Sequence, residues 1–299
     1  MFVYPSGRAL FVWFVLSLLT ALLVAGQDTW VKKYFSHGSV WEMTAFPLFF
    51  SFPLCIIALF FVPVPDLDAS FYGSFIAGLP INFIGLLLYM KAIKVSPLSL
   101  TVPYLAFTPT FLIPVGFVFL NELPDIWGMT GILLTCAGSY VLNIDKARWS
   151  VMGPVRAMIR ETGSWIMLIV AFIYSFGAVA GKISILHSSP LFFSMSFFLV
   201  FNLIMLGLLF AFRKIHLSTF RKEYKKGMIA GTLFFFQILC HSFAISMVKA
   251  AYMISIKRFS VLFGVICGKL VFQEKDITVR LAGSLMMVIG AMLIVLAGK

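Results

Sequence analysis

Apolar residues run along this chain in long unbroken stretches, not in alternation. Ten stretches stand out, at about 9–29, 40–62, 70–92, 98–120, 126–143, 164–182, 190–212, 227–248, 251–272 and 278–297. Each is close to the roughly 20 residues a helix needs to cross a bilayer. Short turn-forming and charged groups punctuate them, among them Pro63-Val64-Pro65-Asp66, Glu122-Leu123-Pro124-Asp125 and Ser188-Ser189-Pro190. Continuous apolarity favours helices over barrel strands, which are about 10 residues long and alternate. A water-soluble helical core is excluded, because such segments leave no polar face for solvent. The pattern predicts an all-α integral membrane protein with ten transmembrane helices. The first stretch, Arg8 followed by an apolar run ending in Val24-Ala25-Gly26, also has the outline of a signal peptide; an internal repeat, described next, requires it as a helix.

Shifting the sequence by 152 residues lays the fourth and fifth stretches on the ninth and tenth. Phe107 then meets Phe259, Gly116 meets Gly268, Glu122 meets Glu274, Gly131 meets Gly283 and Gly138 meets Gly290. A shift of 150 aligns the first and sixth stretches, pairing Lys32 with Lys182, His37 with His187 and Ser39 with Ser189. The halves are therefore 8–143 and 163–297, joined by a basic connector at 144–162. Five helices per half is an odd number, so the second half enters the membrane inverted. Inverted repeats are a transporter signature, with the solute site near the midplane between the halves.

The segments Pro97 to Gly138 and Lys249 to Gly290 resemble the EamA-type repeats of the drug/metabolite transporter superfamily. In that family a helix opening with small residues ends in a Gly and a Glu a few positions apart, and the next helix is glycine-rich. The resemblance implies ten helices around a central pocket, with the fifth and tenth at the periphery. More locally, Lys257-Arg258 within Ser255 to Leu262 is similar to the sugar-phosphate translocators of the same superfamily, where such a pair is understood to grip the substrate phosphate. Those proteins carry a matching Lys in the fourth helix; here the shift places Leu105 opposite Lys257.

Composition agrees with a membrane protein: 61% of the 299 residues are hydrophobic and 11% charged, against about 25% charged in soluble domains. The formal charge of +12 is not read as a nucleic-acid footprint. On a ten-helix topology, sixteen of the 23 Lys and Arg residues fall on one membrane face and four on the other, Lys182 among the four. The positive-inside rule then puts both termini outside the cytoplasm, with a bacterial inner membrane as the expected location. Cys55, Cys136, Cys240 and Cys267 fall singly in four stretches, a pattern of neither disulfide framework nor metal cluster. No GxxxxGK[ST], GxSxG or HExxH occurs, so no ATP-driven pump, catalytic residue, metal or other cofactor is expected.

Polar residues inside the stretches are the candidate site. Lys257 and Arg258 lie about 9 Å along the ninth helix at 1.5 Å per residue, a depth at which a cation costs about 2.5–3.5 kcal/mol. They read either as a clamp on an anion, or as side chains that snorkel or pair with Asp28 or Glu42. Gln237 and His241 share a helix face at i, i+4, for substrate hydrogen bonding or proton carriage, or for interhelical hydrogen bonding. The repeat sets Tyr89 opposite His241. Tyr104 sits among Pro103, Pro109 and Pro114, in a helix whose freed carbonyls could line a cavity. Asp28 is the candidate coupling carboxylate, or else a solvated acid at a helix end. Asn82 and Asn202 read as interhelical contacts, and Ser260, Gly264 and Gly268 as a close-packing face.

The expected function is that of a secondary transporter moving a small organic solute, anionic or zwitterionic, by alternating access. Its partners would be that solute and membrane lipids, with no nucleic acid, as a monomer or homodimer. The alternatives are a polytopic membrane enzyme or lipid-handling subunit, and a non-transporting membrane scaffold.

Overall fold

A computed structural model describes residues 8–96, 98–141, 161–272 and 278–298. Residues 144–160 of the expected connector at 144–162 lie outside the described residues, as do the expected helix-ending Glu274 and the side chain of Lys269. The described chain is all helical: α1 (Arg8–Phe35), α2 (Val40–Leu59), α3 (Ala69–Val95), α4 (Leu98–Thr101), a 3-10 turn (Val102–Phe107), α5 (Thr108–Leu120), α6 (Ile126–Val141), α7 (Thr162–Leu186), α8 (Pro190–Ala211), α9 (Leu217–Lys222), α10 (Tyr224–Met247), α11 (Ala250–Lys257), α12 (Phe259–Phe272) and α13 (Thr278–Leu296). Among the described residues seven helical stretches are long and apolar enough to cross a membrane, and two shorter apolar helices cover Ile126–Val141 and Ala282–Leu296.

Helix starts follow local chemistry, and they repeat. Ser39 caps α2: its Oγ accepts the Glu42 N–H at 3.1 Å while Glu42 Oε2 accepts the Ser39 N–H at 2.8 Å. This reciprocal cap satisfies two amide groups that have no partner inside the helix. It also accounts for Glu42, which is a cap and not a partner of Lys257 or Arg258. Ser189, its equivalent by the 150-residue shift, caps α8 by accepting the Phe192 N–H at 3.2 Å, with Pro190 following. Asp68 caps α3 through the Phe71 N–H at 2.9 Å.

The packing partners also exchange between halves. α3 lies along α7 and α1 along α10; α5 meets α7 and α12 meets α1; α2 packs on α8, and α6 on α13. Each of these contacts maps onto its counterpart, or onto itself, when the halves are swapped, whereas α2 packs on α10 far more extensively than α3 does on α8. The α6–α13 contact explains the paired glycines. A Cβ at Gly131 would stand 2.6 Å from the Gly290 carbonyl oxygen, and one at Gly138 would stand 2.6 Å from that of Gly283. Backbones approach this closely only where no side chain intervenes.

The stretches at 98–120 and 251–272 are not continuous helices. The first passes through the 3-10 turn at Val102–Phe107, with proline at 103 and 109; proline removes an N–H and clashes with the preceding turn. The second breaks at Arg258 without any proline. The Arg258 N–H is shared between the carbonyls of Ile254 and Ser255, both at 3.1 Å, a tightening that ends α11 one residue before α12 begins. By the 152-residue shift Arg258 is the counterpart of Ala106, inside the first break. Both halves therefore interrupt the same helix at the same place.

Candidate functional site

The two breaks border a cavity of about 180 Å³. Leu105 and Thr108 line it from the first break, Lys257 and Arg258 from the second, and Asp28, Tyr89, Gln237 and His241 from α1, α3 and α10. Six of the seven candidate residues thus surround one space. Tyr104 is not among the lining residues: it is buried and hydrogen-bonds Ser164 at the start of α7. The 3-10 turn is the cause. At three residues per turn, positions i and i+3 superimpose, so Leu105 and Thr108 share the cavity face while Tyr104 is turned a third of a revolution away.

The polar groups are only partly matched to one another. Tyr89 Oη donates to Asp28 Oδ2. His241 Nδ1 lies 3.5 Å from Lys257 Nζ. Lys257 and Arg258 lie near enough to Asp28 to act on it electrostatically. Among the described residues, however, neither forms an ion pair with it. The Arg258 side chain is 4% exposed, and its Nε has no hydrogen-bond partner. Gln27 Oε1 and Thr108 Oγ1, on residues lining the same cavity, are also buried without partners. A buried cation is costly unless hydrogen bonds or an opposite charge match it. Asp28 lies seven positions before the end of α1 and is 6% exposed; it is not a solvated helix-end acid.

Tyr174 escaped sequence reasoning. It stands on α7 beside the cavity, with its ring centroid 6.3 Å from that of Tyr89, where the absence of a side chain at Gly85 admits it. Nothing in the sequence marks one Tyr on an apolar helix. Asn82 both donates to the Gly78 carbonyl at 2.8 Å and lines the cavity. Asn202 bridges α8 to α2 through the Leu48 carbonyl at 3.2 Å and Ser51 Oγ at 3.1 Å.

A second feature anchors the broken helix. Lys182, placed by sequence among the cations of one membrane face, is fully buried and paired with Glu122. The Gly-x(5)-Glu spacing makes this possible. Asn121 takes a left-handed conformation (φ 53°) and the Glu122 N–H returns to the Gly116 carbonyl at 3.1 Å, turning the carboxylate inward. Glu122 Oε2 then accepts the Ala250 N–H at 2.8 Å, at the start of α11, while Lys182 Nζ also donates to the Val248 carbonyl at 2.6 Å. In the other half Lys32 Nζ donates to the Ser96 carbonyl at 2.8 Å. Ser96 is the repeat counterpart of Val248, so the buried Lys182 and the half-buried Lys32 each hold the chain just ahead of a broken helix.

The family model of the EamA-like transporters matches residues 11–144 and 161–296, one copy on each half. The chain belongs to the EamA-like transporter family. This EamA-like chain is accordingly a multi-pass membrane protein of a transporter family within the drug/metabolite transporter superfamily. No curated protein matches it. A crystal structure of another protein superposes with a TM-score of 0.68 over 95% of this chain and 96% of that one, at 14% identity, a likeness of fold. None of these comparisons carries the local likeness of the Lys257-Arg258 segment to sugar-phosphate translocators.

Proposed function

We propose that this protein is a secondary carrier that binds a small organic solute through an anionic group and exposes it alternately to the two membrane faces. In this reading ten helices cross the membrane as two inverted sets of five, with α4 to α5 and α11 to α12 each making one discontinuous crossing. The exchange of packing partners between the halves supports the inverted arrangement. Discontinuous helices bordering a central site are the recurrent form of carrier pockets.

The observation that carries the anionic preference is Arg258: buried, at a helix break, in the cavity wall, with its Nε unpartnered. A guanidinium in that state gains a charge-assisted bond from a carboxylate or phosphate oxygen. Lys257 adds a second positive charge and His241 a hydrogen-bonding ring. Asp28 keeps the net field of the site modest, which fits a solute with one or two negative charges, or a zwitterion.

The test begins with a thermal-shift panel of phosphorylated sugars, amino acids and carboxylates on the purified protein, since a ligand that binds the folded state stabilises it. Any stabilising solute is then followed in proteoliposome flux. Arg258→Ala should abolish both the shift and the flux, while Arg258→Lys restores part of the shift. Full transport of every accepted solute by both Arg258→Ala and Lys257→Ala would refute the anion clamp.

A further inference from the structure

Asp28 also borders a second, much smaller space. This void measures about 10 Å³ and is lined by Asp28, Thr29 and Ser260 together with residues that carry no side-chain oxygen, among them Leu98, Val102 and Val261. One water-sized ligand needs about that much room. Its polar lining is oxygen only. Thr29 is 6% exposed and Ser260 1% exposed, and the hydroxyl oxygens of both lack hydrogen-bond partners. Tyr89 engages Asp28 Oδ2, so Oδ1 is the carboxylate oxygen it does not hold. Gly264 contributes no side chain: a Cβ there would meet nothing within 4 Å. The Ser260-Gly264 stripe, which sequence alone reads as a close-packing face, borders this space instead.

We propose that the void is a binding site for one small monovalent cation, Na+, held by the Asp28 carboxylate and the hydroxyl oxygens of Thr29 and Ser260. Several features select this class. A set of oxygen donors suits a hard cation, whereas Ca²⁺ takes 6–8 oxygens, usually several of them from carboxylates; here there is one carboxylate. The space admits one small ion. It lies where both discontinuous helices meet, and interrupted helices supply carbonyl oxygens with free lone pairs to such ions.

The charges also define how this ion acts on the proposed solute, a role that rests on the carrier reading. Asp28 attracts the cation while Lys257 and Arg258 oppose it; an anion on Lys257 and Arg258 cancels that opposition. Conversely, a cation on Asp28 removes the carboxylate that competes with the solute for the same two side chains. Each ligand strengthens the other, and thermodynamic linkage makes the effect reciprocal. The geometry is that of a cotransport site, with one carboxylate shared between ion and solute.

The test uses the full-length protein in detergent, titrated with NaCl against choline chloride and KCl at constant ionic strength. The melting temperature should rise saturably with Na+ and not with choline or K+. Thr29→Val and Ser260→Ala should each raise the half-saturating Na+ concentration about tenfold or more, as expected for losing an oxygen that contacts a charge. Asp28→Asn should abolish the response. Because both hydroxyls lack hydrogen-bond partners among the described residues, these substitutions leave no new unmatched group, and the variants should remain folded. An equal response to choline, or an unchanged Na+ midpoint in both hydroxyl variants, overturns the site and leaves the void to an ordered water. A stability that follows pH but not Na+ overturns it in favour of a proton. Flux measured in parallel separates the two readings: solute transport without Na+ dependence defeats the ion site alone, and an intact Na+ response without transport of any solute defeats the carrier alone.

Discussion

Replacing Lys182 with Met removes one partner of a fully buried ion pair and leaves Glu122, 7% exposed, with a carboxylate facing protein. Glu122 retains the Ala250 N–H at 2.8 Å, which satisfies one oxygen and not the charge. Breaking a buried pair from one side costs about 3–5 kcal/mol, whereas removing both charges together costs far less, because no unmatched ion remains. Glu122→Gln keeps an oxygen able to accept from Ala250 and removes the charge. The double variant Lys182→Met/Glu122→Gln should therefore be more stable than Lys182→Met alone, with a coupling energy of about 2–3 kcal/mol. Reversible unfolding in mixed detergent micelles, followed by the fluorescence of the six tryptophans, measures all four corners of the cycle. If the double variant loses the sum of the two single losses, the pair does not act as a unit and the anchoring of α11 by Glu122 and Lys182 is wrong.

The glycine contact between α6 and α13 makes a sharper steric prediction. Gly131→Val should destabilise by about 2–3 kcal/mol, because its Cβ meets a backbone oxygen that moves only if the helices separate. Gly207→Ala, where a Cβ meets nothing within 4 Å, should be neutral or slightly stabilising; equal effects in thermal melts would contradict the packing. At the α2–α3 loop, the Asp68 carboxyl sits below its usual range because it accepts the Phe71 N–H and, secondarily, contacts His187. A carboxyl lowered on folding stabilises above its unfolded value, and that contribution disappears as pH falls through the folded one. Asp68→Asn should therefore be less stable than the parent at neutral pH and equal to it in strong acid. A difference that persists unchanged to low pH would rule out this linkage.

Much of the site was legible because the signals were local. A charged pair inside an apolar stretch is conspicuous in any membrane sequence, and so is an i, i+4 polar pair; these signals mark Lys257, Arg258, Gln237 and His241. Asp28 falls at the end of its stretch, where a solvated acid competes with a coupling carboxylate, and only the structure buries it. Tyr89 came from the repeat. Tyr104 shows the limit. Its neighbours marked an interrupted helix, but only the 3-10 turn decides which face each residue presents. Tyr174 and Thr108 carry no local mark at all.

The sequence by itself determined the class of the molecule, the helical stretches, the twofold repeat and the presence of intramembrane charge. Hydropathy, periodicity and helix capping act over a few residues and are written in composition. Only the tertiary structure decided that the ninth stretch breaks at Arg258 without a proline, and that Lys182 is a buried anchor for Glu122 instead of a surface cation. It also decided that the 260–264 stripe lines a void beside Asp28. These outcomes depend on residues far apart in the chain, as with Asp28 and Ser260, 232 positions apart. Such encounters are set by how whole helices cross, a quantity no short stretch of sequence encodes.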